Sequence, residues 1–293
     1  MIKLRSTGRG TGYSRLRGLV ESTLALAYPG DWPARAWSAW PRADRVAVRT
    51  FTVARRAAVA RGAPGAPTAL RLGFVSDLHI GPTTPASVLD AAFDALAAAD
   101  LDVLLLGGDY VFLEATPAKA ERLRALVARV RPRVGTIAVL GNHDLWTEHA
   151  LVEAALAEAG ARVVVNGAVR LDAPHDDVAI LCLDDPWTGR PDLGPALEAA
   201  GDATTRIGLC HSPDALPSMQ RAGVALFACG HTHGGQIATP WGPVIVPGRV
   251  GKRYPHGLHD AAGTTLFVSR GVGATELPMR TWARPDVALF VLE

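Results

Sequence analysis

Residues 70–79 read Leu-Arg-Leu-Gly-Phe-Val-Ser-Asp-Leu-His, a mostly apolar run that closes on an acid and an imidazole. Its first six residues, Leu70 to Val75, have the length and composition of a buried strand. A strand that ends in such residues delivers them to the carboxyl edge of a sheet, where α/β proteins build their sites. The construction recurs four times downstream. Leu101 to Leu106 leads to Gly108-Asp109, and Val134 to Leu140 leads to Gly141-Asn142-His143-Asp144. Ile207-Gly208-Leu209 leads to Cys210-His211, and Val224 to Ala228 leads to Gly230-His231-Thr232-His233. Any one of these segments alone is as readily a turn or a helix cap. Together they predict a metal centre, because carboxylates and neutral imidazoles suit divalent cations and a shared carboxylate holds two of them close. The one-residue gaps in Asp77-x-His79 and His231-x-His233 predict, for extended segments, that each pair projects to one side.

Outward from the first strand, strand and helix alternate. Strands at Leu70 to Val75, Val103 to Leu106 and Thr136 to Leu140 lead to helices over Pro85 to Ala99, Pro117 to Val130 and Glu148 to Ala159. Upstream, Val46 to Val53 is β-branched and aromatic and reads as another strand. Beyond residue 161 the strands crowd: Arg162 to Val165, Val169 to Leu171, Val178 to Leu183, Thr205 to Leu209 and Val224 to Ala228. Helices over Ala196 to Ala200 and Asp214 to Arg221 intervene, and strands at Val244 to Val246, Thr264 to Ser269 and Val287 to Leu292 close the chain. The pattern predicts an α/β fold in a four-layer α+β arrangement: two face-to-face mixed β-sheets flanked by helices. Gly62 to Pro67 reads as a turn or linker.

Of the 293 residues, 48% are hydrophobic and 20% charged, which excludes bulk disorder. No run approaches the roughly 18–20 apolar residues of a membrane span. Cys182, Cys210 and Cys229 are odd in number, lack CxxC spacing and read as buried small hydrophobes in a reducing compartment. Net charge is uneven. Residues 1–66 hold twelve Lys and Arg against three acids, whereas the rest holds eighteen against twenty-five. Residues 1–42 are therefore expected to form a basic leader, with Trp32, Trp37 and Trp40 beside Arg35 and Arg42, ahead of a catalytic domain over 43–293. Tryptophan beside arginine suits a membrane surface; the alternative is that this segment packs on the domain and its tryptophans fill a groove. His149 and His175 read as surface residues, and His256 and His259 fall outside the motifs.

The order Asp-x-His, Gly-Asp, Gly-Asn-His-Asp, His and Gly-His-Thr-His resembles the calcineurin-like metallophosphoesterase superfamily from about Leu70 to Glu293. Gly230 to Gln236, with Ser269-Arg270-Gly271-Val272-Gly273 and Leu277-Pro278-Met279-Arg280, is similar to its YkuE/YaeI-like branch. That branch includes bacterial phosphodiesterases and enzymes hydrolysing the lipid A precursor UDP-2,3-diacylglucosamine. The resemblance implies a metallophosphoesterase fold and two divalent metal ions, Mn, Fe, Zn or Mg. One ion would take Asp77, His79, Asp109 and His233; the other would take Asp109, Asn142, His211 and His231, with Asp109 bridging. His143 would be the catalytic histidine beside the phosphate, and a hydroxide held between the cations would attack phosphorus. Arg270 and Arg253 are the candidates for further substrate contact. The implied partner is a phosphorylated small molecule or a lipid-linked substrate. Branch members commonly carry an N-terminal anchor or export signal, and this chain has the basic leader instead, so the expected location is the cytoplasm, peripherally on the inner face of the membrane. Nuclease, phosphoprotein phosphatase and non-catalytic scaffold are the competing readings. The acidic body disfavours nucleic acid as a partner, the short loops fit a protein phosphatase less well, and the filled ligand positions count against a scaffold.

Overall fold

The computed structural model describes residues 6–39, 45–55 and 69–293. The expected turn over Gly62 to Pro67, Trp40, Arg42 and the leader's boundary near residue 42 lie outside the described residues. In chain order the elements begin with α1 (Arg15–Ala27), α2 (Trp32–Ser38), β1 (Ala47–Val53), β2 (Leu70–Val75), α3 (Ala86–Ala97) and β3 (Val103–Leu106). They continue with α4 (Pro117–Val127), β4 (Gly135–Ala138), α5 (Asn142–Trp146), α6 (His149–Glu158), β5 (Ala161–Val163), β6 (Gly167–Arg170) and β7 (Val178–Cys182). Then follow α7 (Leu193–Ala200), β8 (Thr205–Leu209), α8 (Leu216–Arg221), β9 (Leu226–Cys229), β10 (Ala238–Thr239) and β11 (Gly242–Pro243). The chain closes with α9 (Arg249–Arg253), β12 (Gly257–Ala261), β13 (Thr264–Val268) and β14 (Asp286–Leu292).

Two six-stranded mixed sheets result, in the orders β1-β14-β2-β3-β4-β5 and β12-β13-β9-β8-β7-β6. The two-residue period of a strand sorts the apolar side chains into layers. Leu70, Leu72, Phe74, Val103 and Leu105 face Ile180, Cys182, Ile207 and Leu209 between the sheets. Their neighbours Val75, Leu104 and Leu106 face α3, α4 and α6 outside the first sheet. Ala179, Leu181 and Phe227 likewise meet α7 and α8 outside the second. The expected four layers are therefore present, with β2, β3 and β4 running parallel in one sheet and β7, β8 and β9 parallel in the other.

Several details differ from expectation. Val244 to Val246 is not a strand; the nearby pairing is the short ladder of β10 and β11, and Val244 and Ile245 stand exposed. The edge strand β12 is not legible in the sequence, because Gly-Leu-His-Asp-Ala carries little apolar signal, and it lies half-exposed against β13. His175 is buried, not on the surface. Residues of the N-terminal segment pack on the domain: Trp37 joins the core cluster that contains α3 and α4. Among the described residues no helix is long and apolar enough to cross a membrane.

Candidate metal centre

The five motifs meet where the parallel strands of both sheets end. Asp77 and His79 follow β2, Asp109 follows β3, and Asn142 and His143 open α5 after β4; His211 follows β8, and His231 and His233 follow β9. The same-side projection expected of extended pairs is not how they converge. Asp77, His79, Asp109, His231 and His233 all have positive φ, between 44° and 71°. Left-handed backbone costs a non-glycine residue free energy and persists where the surroundings over-determine it. Each loop here curls its side chain back toward a common centre.

Three groupings place one ligand atom per residue within 4.8 Å of the others: Asp77, His79 and His233; His79, Asp109 and His143; and Asp109, His211 and His231. Asp109 Oδ2 lies 3.6 Å from His79 Nε2 and 3.2 Å from His211 Nε2. His233 Nε2 is 3.4 Å from Asp77 Oδ1 and 3.1 Å from His79 Nε2. On the other side, His231 Nδ1 is 3.2 Å from His211 Nε2. All of these side chains are buried. Asp109 thus stands between two imidazole groups.

Burial and mutual charge set the protonation of this cluster. Burial lowers His79 to about 4 and His231 to about 3, and drives His233 and His143 well below the usual imidazole range. His211 goes the other way. Burial opposes its charge, but Asp109 and then Asp77 hold a proton on it well above the usual range. Burial also lifts Asp77 to about 6. Burial thus favours the neutral form of His79, His143, His231 and His233, while the two carboxylates favour a proton on His211.

The surrounding backbone fixes these side chains. Asp144 accepts from the backbone N–H groups of Asp109 (2.7 Å), Tyr110 (2.9 Å), Val111 (3.3 Å) and Gly141 (3.0 Å). It therefore ties the Asp109 loop to the start of α5, which is more than a helix cap. Asp109 Oδ1 in turn accepts from His143 N–H at 2.8 Å. His211 Nδ1 sits 2.8 Å from the Gly107 carbonyl oxygen, a contact that orients the ring. A Cβ on Gly141 would collide with Asp109 Oδ1, and one on Gly230 with Asp77 Oδ2, so these two glycines are required by close approach of the carboxylates. Asp144→Ala should strand buried N–H donors and destabilise the fold by about 3–5 kcal/mol, measured by urea unfolding.

A cleft of about 500 Å³ opens over the centre. Asp109, Asn142, His143, His231 and His233 form its floor, and Trp146, Trp187, Ile237, Val244, Ile245 and Leu277 give it apolar walls. Trp187 packs on His231 with ring centroids 4.6 Å apart, held by Asp185, whose carboxylate accepts from the Trp187 and Thr188 N–H groups. The two arginine candidates are not among the lining residues. Arg270 turns to His256, at 3.1 Å, and to Asp286, at 3.9 Å. Arg253 is on α9, exposed, with its guanidinium over Tyr254. Charge in sequence carries no direction. Arg280, placed only in a motif by sequence, instead stands 3.0 Å from His233 Nδ1, anchored on the carbonyl oxygens of Arg270 and Gly273. Arg17 and Glu276, which no pattern singled out, also line the cleft.

The profile of the calcineurin-like phosphoesterase superfamily domain matches residues 70–265. The chain is 32% identical over 221 residues to the protein named uncharacterized metallophosphoesterase YkuE of Bacillus subtilis, covering 74% of this chain and 77% of that one. It is 31% identical over 223 residues to phosphodiesterase YaeI of Escherichia coli, covering 75% and 80%. It is also 30% identical over 252 residues to a transmembrane protein with metallophosphoesterase domain of Bos taurus, covering 78% of this chain and 54% of that one.

Proposed function

This chain belongs to the calcineurin-like phosphoesterase superfamily and is a metallophosphoesterase, and we propose that it cleaves a phosphodiester or pyrophosphate bond at a dinuclear centre. The observation that supports this reading is the pair of donor sets meeting on Asp109. Asp77, His79, Asp109 and His233 would hold one cation, and Asp109, Asn142, His211 and His231 the other. The residues present fit such ions. Asn142 Oδ1 is a buried acceptor with no hydrogen-bond partner, which is costly unless a cation takes that role. The mixed oxygen and nitrogen donors suit Mn, Fe, Zn or Mg. When bound, two such cations supply a water of lowered pKa and neutralise charge on the phosphate oxygens.

The chain's own residues do the rest. His143, neutral through burial, faces the cleft and has an N–H to donate to a phosphate oxygen or to the leaving oxygen. Its backbone bond to Asp109 fixes its distance from the centre. The tryptophan and aliphatic walls favour a substrate with an apolar portion. That wall composition supports a lipid-linked substrate such as UDP-2,3-diacylglucosamine. Exposed Leu16, Leu26 and Trp32, in the basic N-terminal segment, support peripheral contact with an anionic membrane surface. Hydrolysis with manganese should be assayed on bis-p-nitrophenyl phosphate, p-nitrophenyl phosphate and UDP-diacylglucosamine. Turnover of the diester or the UDP-lipid above the monoester supports the reading; inertness toward all three, with metals bound, refutes it.

Protonation gives an independent check. Asp109 and Asp77 favour a proton on His211 in the metal-free centre, whereas a ligand imidazole must be neutral. Metal uptake should therefore displace a proton from His211. Calorimetric titration in two buffers of different ionisation enthalpy should give different apparent heats; equal heats would contradict this assignment.

A further inference from the structure

The matched family region begins at residue 70, yet one wall of the cleft comes from far upstream. Among the described residues, Arg17 of α1 is the one arginine or lysine lining the cleft. We propose that Arg17 contacts a non-bridging phosphate oxygen of the substrate, so that the N-terminal segment completes the active site. This rests on the phosphoesterase reading above and adds a substrate-binding residue to it.

The placement of Arg17 is built. Nε donates to Glu21 at 3.0 Å and Nη1 to Glu276 at 2.7 Å, which fixes the plane of the guanidinium. Nη2 is left on the cleft side, 3.4 Å from His143 Nδ1, and the group lies over the Trp146 ring at 5.2 Å. The helix that carries it is tied down at both ends. Tyr28 Oη donates to the Glu276 carbonyl oxygen at 2.8 Å. Ahead of α1, Arg9 forms a two-point ion pair with Asp184 at 2.7 and 2.9 Å, and Gly10 N–H donates to the Leu145 carbonyl at 2.8 Å. The strap therefore grips α5, the helix that bears His143, together with the loop that carries Trp187. An oriented guanidinium recognises phosphate through paired donors, and it supplies positive charge in a cleft whose other lining ionisable groups are carboxylates and imidazoles.

The test compares Arg17→Gln, Arg17→Lys and, as a charge control, Arg15→Gln, since Arg15 is exposed on the same helix. Each full-length, manganese-loaded variant is titrated with inorganic phosphate and assayed on bis-p-nitrophenyl phosphate. Arg17→Gln should weaken phosphate binding about tenfold and raise KM similarly, with metal content near wild type. Arg17→Lys should fall between, and Arg15→Gln should match wild type. Wild-type phosphate affinity in Arg17→Gln overturns the proposal, as does an equal loss in Arg15→Gln. Should the Gln variant fail to fold, the Lys variant decides: weaker phosphate binding supports the contact, and wild-type affinity overturns it. A wild-type protein that binds metal and phosphate but hydrolyses nothing would refute the hydrolase reading, while the phosphate titrations still report on Arg17.

Discussion

Asp109→Asn is expected to reduce bound metal from two equivalents to one or fewer and to lower turnover about a thousandfold, since metal-ion catalysis supplies several kcal/mol. The reasoning is geometric. Asp109 Oδ2 is the oxygen that approaches imidazoles of both donor sets, His79 and His211. Asparagine keeps the size of the side chain and an Oδ1 that accepts from His143 N–H, as the carboxylate does. The substitution therefore removes negative charge and little else, and α5 should stay in place. It also removes the main charge that holds a proton on His211, so the metal-free variant should show an ordinary or lowered His211 pKa by NMR titration. Retention of two tightly bound metals in Asp109→Asn would mean that Asp109 does not bridge.

The second large effect separates chemistry from binding. His143→Ala should keep both metals and lose turnover by roughly 10²–10⁴-fold, the range for removing a proton donor. His143 lies close to His79, with ring centroids 4.8 Å apart, and shares a grouping with His79 and Asp109. That proximity makes it a rival ligand on distance alone. Its ring differs from the others in facing Trp146 and Arg17 at the mouth of the cleft. Metal analysis after His143→Ala decides the matter: unchanged metal with lost turnover assigns it to chemistry, and loss of one metal assigns it to coordination.

Much of this arrangement was legible in the chain, for reasons that can be traced to particular residues. The strands β2, β3, β8 and β9 are short, apolar and buried on both faces, so their limits and the polar residues that follow them stand out. Layering followed from the two-residue period. The curl of the loops did not, because nothing in Ser-Asp-Leu-His announces left-handed backbone at two non-glycine residues. Motif glycines 141 and 230 were visible as letters, while their cause, a carboxylate oxygen packed where a Cβ would stand, is a contact across 32 and 153 residues of chain, to Asp109 and Asp77. Asp144 reads locally as a cap and acts across the sheet edge on the Asp109 loop. The arginines show the limit most plainly. Arg253 and Arg270 sit near the motifs in sequence and face elsewhere, while Arg17, distant in sequence and embedded in an unremarkable helix, lines the cleft.

The central claim is a phosphoester hydrolase that works through two cations shared by Asp109. The most direct test is to strip the wild-type protein with chelator and restore manganese stepwise while following bis-p-nitrophenyl phosphate hydrolysis. The account predicts negligible turnover without metal and activity that reaches its plateau as the second equivalent binds. Full turnover in the stripped protein, or a plateau at one equivalent, would contradict it.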